Sequence, residues 1–392
     1  MKFTTNLTEF VKCLHRVFPA IPIKQAPFEL LEFFNLELKD NELTIIASDV
    51  DVTIKTTTIV EGREDGSVLV KAKRFLDFLK GLDPSKELII ENSEDNDLVL
   101  EIISGVTKFR FDCQDTDQYI ELPELLKKEA PTKDTPDTIF FEKEAINKLT
   151  EKTAFAITDD SFRTNMTGVL FQFRDTYVNA VATDSFRLAR YTHFANADSF
   201  PGQLDLLIPQ KTVEILKRID SDAIFSYDTQ QEKPKKLRID YGETIIISAL
   251  IKETFPNYEA IIPTSTNYTT TFDISAFLDA LKKVAIVTNP TNKRCELVFS
   301  TDTLKIITKN IEYGKQEVGT TEIPCELEGA EEFSVTFNSK HIEEMIGNIT
   351  SNETNNNLIS MYFVSPEKAA LIKPKSDTDL ILEILMPIRS GY

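Results

Sequence analysis

Three stretches of the chain repeat the same two amphipathic patterns at the same separation, so the chain must fold as similar successive pieces rather than around one core. The segments TNLTEFVKCLHRVF (5–18), EKEAINKLTEKTAFA (142–156) and DISAFLDALKKVAIV (273–287) place apolar residues at helical spacing. Each follows a short strand-like stretch, MKF, TIFF or TTTF. A second helical pattern recurs as VKAKRFLDFLKGL (70–82), IPQKTVEILKRI (208–219) and FNSKHIEEMIGNI (337–349). From the first pattern to the second the spacing is 66, 67 and 65 residues. Near-equality in three places implies three tandem copies of one domain, and 392 residues suit two or three domains better than one.

Between the helices the pattern changes to alternation or short apolar runs, as in ELTIIASDVDVTI, TGVLFQFRDTYVNAVAT and CELVFSTDTLKIIT. Each copy therefore reads as two helices on a mainly antiparallel sheet, an α+β fold. Proline and polar residues mark the joins, in LPELLKKEAPTKDTPD (122–137) and IPTSTNYT (262–269). The expected domains are 1–126, 134–263 and 264–392.

The charge is −19, from 44 Lys+Arg against 63 Asp+Glu. Taken whole, that argues against a polyanionic partner, but the average conceals a segregation. The six helical windows 5–18, 70–82, 142–156, 210–219, 275–284 and 339–349 hold 73 residues with a charge of +6, leaving −25 on the other 319. If the helices line one side of an arc, that side is electropositive. Its candidates for facing phosphate are Lys12, Arg16, Lys73, Arg74, Lys80, Lys148, Lys152, Lys211, Lys217, Arg218, Lys282 and Lys283, with Lys24 in a loop. Such contacts carry no base information, and no zinc-finger spacing, basic zipper or helix-turn-helix is present to supply any. Sequence-independent binding of double-stranded DNA is the expectation.

The stretch VATDSFRLARY (181–191) raises the possibility of chemistry, with Asp184 beside Arg187. An enzyme would need a base or nucleophile partner. The three histidines, His15, His193 and His341, stand in no paired or metal-ligand spacing, and the 12 glycines form no phosphate-cradling loop. No catalytic residue, metal or cofactor is expected. Asp159 and Asp160, like Asp49 and Asp51, read as turn residues. Cys13, Cys113, Cys295 and Cys325 are too scattered for a disulfide framework, so free buried thiols are expected. No apolar run approaches the ~18 residues of a membrane span, and MKFTTNLTEF lacks a signal-peptide pattern. A cytoplasmic protein without membrane attachment is expected.

The chain resembles, end to end, the bacterial DNA polymerase III beta subunit, the sliding clamp family. The resemblance is carried by MKFT at the start, VKAKRFLDFLKGL, TGVLF, VATDSFRLA, FPNYEAIIP and the closing LMPIR, in matching order and spacing. It implies three DNA-clamp domains per chain and two chains closing head to tail as a homodimeric ring, with helices lining a hole for duplex DNA. It also implies a processivity factor with no chemistry of its own. Partners would be DNA polymerase III alpha subunit, the clamp loader, and other polymerases and repair proteins, docking through short Gln/Leu/Phe-type motifs. A monomeric repeat scaffold that binds peptides without encircling DNA is the alternative.

The resemblance assigns the peptide-binding cleft to Met166, Thr183, Ser185, Phe186, Arg187, Leu188, Pro256, Ala260, Ile261, Ile384, Met386, Pro387, Ile388 and Arg389. Phe186 stands where many members have histidine and Ala260 where some have a basic residue, so a more apolar rim is expected. The chain continues past MPIR with Ser390, Gly391 and Tyr392. The alternative is that SFRL packs in the core with Arg187 in a structural salt bridge. For the dimer contact, the resemblance points to Lys108, Phe109, Arg110 and Phe111 in TKFRFD meeting Ile286, Val287 and the strand from Glu296 to Ser300. The simpler reading of KFRF is an amphipathic strand with its aromatic rings in the core.

Overall fold

The computed structural model describes residues 1–22, 28–132, 135, 137–196, 200–228, 234–289, 291, 293–312, 315–349, 354, 356–376 and 380–388. Among them the six repeated patterns are α-helices: α1 (Leu7–Val17), α2 (Ala72–Lys80), α3 (Lys143–Glu151), α4 (Gln210–Leu216), α5 (Ile274–Ala285) and α6 (Ser339–Asn348). Helices α1, α3 and α5 follow strands Lys2–Asn6, Thr138–Phe141 and Tyr268–Asp273. Helices α2, α4 and α6 follow Gly66–Lys71, Leu204–Pro209 and Glu332–Asn338. The repeat is thus structural as well as textual.

Local chemistry sets where three of these helices begin. Asn6 Oδ1 accepts the amides of Thr8 and Glu9 at 2.9 and 3.2 Å. Asp273 accepts the amide of Ala276 at 2.8 Å, and Asn338 that of Lys340 at 3.0 Å. Each cap satisfies amides that a helix start otherwise leaves unpaired. One stripe of each helix is then buried on a sheet: Leu7, Phe10, Leu14 and Val17 on α1, Phe75, Leu76 and Leu79 on α2, Phe277, Leu281 and Val284 on α5.

The chain divides into two compact units, residues 1–143 with 218–250 and residues 144–217 with 251–392. Unit one carries an antiparallel sheet of thirteen described strands. Strand Val52–Ile59 from the first repeat pairs there with Thr244–Ala249 from the second, in a ladder running from Thr56↔Thr244 to Val52↔Ser248. Unit two carries a nine-stranded and a four-stranded sheet among its described residues. In the larger, strand Arg187–Phe194 of the second repeat pairs with Ile381–Leu385 of the third, from Arg187↔Leu385 to Tyr191↔Ile381. The second repeat is therefore shared between the units, because backbone ladders continue across both joins.

The four cysteines are free and buried, and burial pushes the Cys113 and Cys295 thiols up to about 12. Their thiolates are strongly disfavoured at neutral pH. No helix among the described residues is long and apolar enough to cross a membrane.

Candidate peptide cleft and nucleic-acid face

The turn joining strands Tyr177–Thr183 and Arg187–Phe194 is built around Asp184. One carboxylate oxygen accepts the amides of Phe186 and Arg187, both at 2.9 Å. Thr183 Oγ1 donates to the Arg187 carbonyl at 2.7 Å. Ser185 takes the left-handed conformation, φ 76°. With the turn locked in this way, Phe186 is pushed outward and is 58% exposed.

Asp184 therefore has a structural use. Its other oxygen accepts from Arg187 Nε at 3.0 Å. The Arg187 guanidinium also bonds Glu344 on α6 through Nη1 and the Phe155 carbonyl through Nη2, the latter at 2.6 Å. It lies over the Phe155 ring, 5.3 Å from the centroid. Three of the five guanidinium N–H donors are thus committed within the protein. The side chain takes the structural salt bridge that was the alternative.

Around this turn opens a cleft of about 700 Å³. Phe186, Arg187, Met386, Pro387 and Ile388 line it, as expected, together with Ile157, Thr158, Asp159, Asp160, Arg163, Asp184, Asn338 and His341. The C-terminal segment is sewn into place: the Met386 amide donates to the Phe186 carbonyl at 2.8 Å and the Ile388 amide to the Thr336 carbonyl at 2.7 Å. Burial, then the nearby Arg187 cation, lower the pKa of His341. Its neutral ring sits 6.3 Å from that of Phe186, adding aromatic surface.

Other expected cleft residues lie deeper or to one side. Leu188 and Ile384 are each 1% exposed, within a buried cluster that includes Leu170, Val181, Phe255, Tyr258 and Leu382. They present almost no surface to a ligand, which corrects their assignment as contacts. Met166 and Thr183 are buried too, and Ser185 Oγ reaches the Met166 sulfur at 3.6 Å. Pro256, Ala260 and Ile261 lie on the segment whose Phe255, Tyr258 and Ile262 pack against that cluster; Ala260 and Ile261 are exposed. Arg389 and the following Ser390, Gly391 and Tyr392 lie outside the described residues. Asn338 and His341 carried no sequence signal beyond the helix pattern, while Asp159 and Asp160 had been read only as turn residues.

Of the cations proposed to face DNA, Lys12, Lys73, Arg74, Lys80, Lys148, Arg218, Lys282 and Lys283 are exposed. In unit one, Lys12, Arg16 and Lys80 join His15 along a groove of about 490 Å³ between α1 and α2. Arg16 is paired with Asp220 at 2.8 Å, and Lys12 with Glu9 at 2.7 Å. Lys217 pairs with Glu214 at 3.1 Å, and Lys211 is half-buried. Lys152 is the clear correction: it is only 8% exposed, and its Nζ donates to the Asn348 carbonyl at the end of α6. A buried ammonium so held does not face DNA. Lys24 lies outside the described residues.

At the expected dimer edge, strand Thr107–Gln114 holds Lys108 and Arg110 against Glu101, which is buried, at 2.5 and 2.6 Å. Phe109 is 44% exposed, whereas Phe111 is buried edge-on against Phe75 and Phe78. Phe111 is thus a core ring, as the simpler strand reading has it. Ile286 is 85% exposed at the end of α5. The strand containing Glu296 to Ser300 is paired on both sides, by Thr303–Glu312 and Glu332–Asn338, and so cannot receive another chain. Among the described residues, Lys315–Pro324 is one of the two terminal strands of that sheet, and Val318 on it is exposed. Gly319 on this strand lets α5 approach closely: an added Cβ would lie 2.6 Å from Val287.

The comparisons with known proteins agree with this architecture. Family models for the N-terminal, central and C-terminal domains of the DNA polymerase III beta subunit match residues 1–123, 141–257 and 259–389. The chain belongs to the DNA polymerase III beta subunit family. It is 25% identical over 401 aligned residues to the beta sliding clamp of Staphylococcus epidermidis, covering all of both chains. To that of Vibrio cholerae it is 25% identical, over 99% of this chain and all of the other. Among solved structures, the sliding clamp of Bartonella birtlesii bound to griselimycin superposes with a TM-score of 0.86 at 22% identity, covering 99% of each chain. The DNA polymerase III beta subunit of Thermotoga maritima gives 0.85 at 21%, covering all of both.

Proposed function

We propose that this chain is the sliding clamp of a bacterial replication machine, a processivity factor that encircles duplex DNA as a head-to-tail homodimer. The carrying observation is the full-length succession of three family domains on a chain whose basic helices recur in register. Domain bounds of 1–126, 134–263 and 264–392 go with this reading. Ring closure pairs residues 107–112 of one copy, the part of its strand that has a ladder on one side only, with the Lys315–Pro324 strand of the other. Exposed strand edges left without partners invite such pairing.

The exposed cations of α1 to α5 face the phosphates and hold them without reading sequence. The cleft flanked by Phe186, His341 and Met386 accepts short apolar motifs of the polymerase alpha subunit, the clamp loader, and other polymerases and repair proteins in the cytoplasm. Met and aromatic rings make an adaptable floor for Leu and Phe side chains. The apolar Phe186 favours anchors that bury hydrocarbon there.

The decisive experiment loads the protein with a clamp loader onto nicked circular DNA and washes at high salt. Retention on circles and release after linearisation is the expected result, because topological linkage resists salt whereas phosphate contacts do not. Release from circles by salt alone overturns the reading. Reversing Lys73, Arg74 and Lys211 to Glu should slow loading by about tenfold through lost electrostatic attraction while leaving peptide affinity unchanged. Met386→Ala should weaken a labelled Leu/Phe pentapeptide by about tenfold, roughly 1.4 kcal/mol of lost side-chain burial, as read by fluorescence anisotropy.

A further inference from the structure

The cleft walls come from segments far apart in sequence, and something must hold them at a fixed separation. One wall is the Asp184 to Arg187 turn and the other is the start of α6, which contributes Asn338 and His341. Glu344, one turn further along α6, does not line the cleft. It nevertheless takes the Nη1 donor of Arg187, and its second oxygen lies 3.6 Å from Lys340. Arg187 in turn fixes the turn that pushes Phe186 outward and whose carbonyl receives the Met386 amide. A second tie acts at the far end of the same helix, where the buried Lys152 ammonium donates to the Asn348 carbonyl. A cation there also meets the negative end of the helix.

We propose that Glu344 is a positioning residue for peptide binding, its carboxylate holding Arg187 so that the Phe186 turn and the His341 wall stay at the separation a docked side chain requires. Glu344 touches no ligand; it acts through Arg187, with Lys152 as the second anchor of the same wall. This rests on the peptide-cleft reading given above. A cleft held by supporting contacts loses affinity when they loosen, even though every contact residue remains. Arg187 keeps Asp184 and the Phe155 carbonyl in the absence of Glu344, so the fold should survive the change.

The test titrates a labelled pentapeptide containing Gln, Leu and Phe into wild-type protein and the variants Glu344→Gln, Glu344→Asp, Lys152→Met and Met386→Ala, alongside thermal melts. Glu344→Gln should weaken binding about tenfold with a melting temperature near that of wild type, and Glu344→Asp should recover most of that loss by restoring the carboxylate. Lys152→Met, which fills the same buried space, should weaken binding about threefold. Wild-type affinity in Glu344→Gln, or equal losses in the Gln and Asp variants, overturns the proposal. Should Glu344→Gln fail to fold, unchanged affinity in Lys152→Met overturns it instead. No binding to the wild-type protein, or no effect of Met386→Ala, would count against the cleft itself rather than against Glu344.

Discussion

Ile286→Asp should convert the protein to a monomer at micromolar concentration while leaving each chain folded. The side chain is 85% exposed in the single chain, at the end of α5 beside the terminal strand Lys315–Pro324. A carboxylate there is fully hydrated before association, so the melting temperature and peptide affinity of the monomer should not move. On ring closure the same carboxylate would be trapped against the partner's Thr107–Gln114 strand. Lys108 and Arg110 on that strand are already committed to Glu101. Burying an unpaired charge costs about 3 kcal/mol or more, which weakens the dimer by over about a hundredfold. Sedimentation or light scattering reads the mass directly. A head-to-tail ring has two equivalent contacts, so a mixture of variant and wild-type chains offers a second check. The mixed dimer keeps one intact contact and forms an open arc that salt washes from circular DNA. A stable, salt-resistant dimer of the variant alone would show that α5 lies outside the interface.

How much of this was legible depends on how local each feature is. The helices were readable because their apolar spacing repeats within a few residues of chain. Ladders such as Thr56↔Thr244 join residues far apart in the chain, and no local pattern encodes that register. Lys152 was misplaced because what buries it is tertiary: its ammonium meets the Asn348 carbonyl, 196 residues away in the chain, which no local pattern signals. The cleft was found through VATDSFRL and MPIR, whereas the wall supplied by α6 was not, since Asn338 and His341 come near Phe186 through tertiary contacts between segments far apart in the chain. The Glu296–Ser300 strand was assigned to the interface by the resemblance, and alternation could not correct that, because it marks a strand without saying whether it lies inside its sheet or at the edge.

Arg238 is the most consequential residue that the sequence concealed. KLRIDY reads as an alternating strand with Arg238 and Asp240 facing water, yet Arg238 is 2% exposed. The chain following the first repeat covers that face: Tyr119, Leu122 and Leu125 pack on Ile46 and Ile247. Arg238 grips Asp240 with two bonds at 2.7 and 2.6 Å. Its remaining nitrogen donates to the carbonyls of Leu125 and Lys128, at 2.6 and 2.8 Å. The guanidinium thus straps the first repeat's exit segment to a strand of the second. Arg238→Met would leave a carboxylate that is only 12% exposed, and two carbonyls, without these donors, and should destabilise unit one by about 3–5 kcal/mol. Its unfolding midpoint should fall by roughly 10 °C, and protease cleavage between residues 122 and 131 should accelerate. Arg238→Lys retains the charge, but a single ammonium cannot span the fork and both carbonyls, so it should recover only part of the loss. The double variant Arg238→Met with Asp240→Leu separates the two causes. With the orphaned carboxylate removed, it should be more stable than Arg238→Met alone, a non-additivity expected of contacting residues, while cleavage of the exit segment stays fast because its carbonyls remain unheld. A single variant within about 1 kcal/mol of wild type, or a double variant no more stable than the single, would mean that apolar packing of Leu122 and Leu125, and not the guanidinium, holds the segment down.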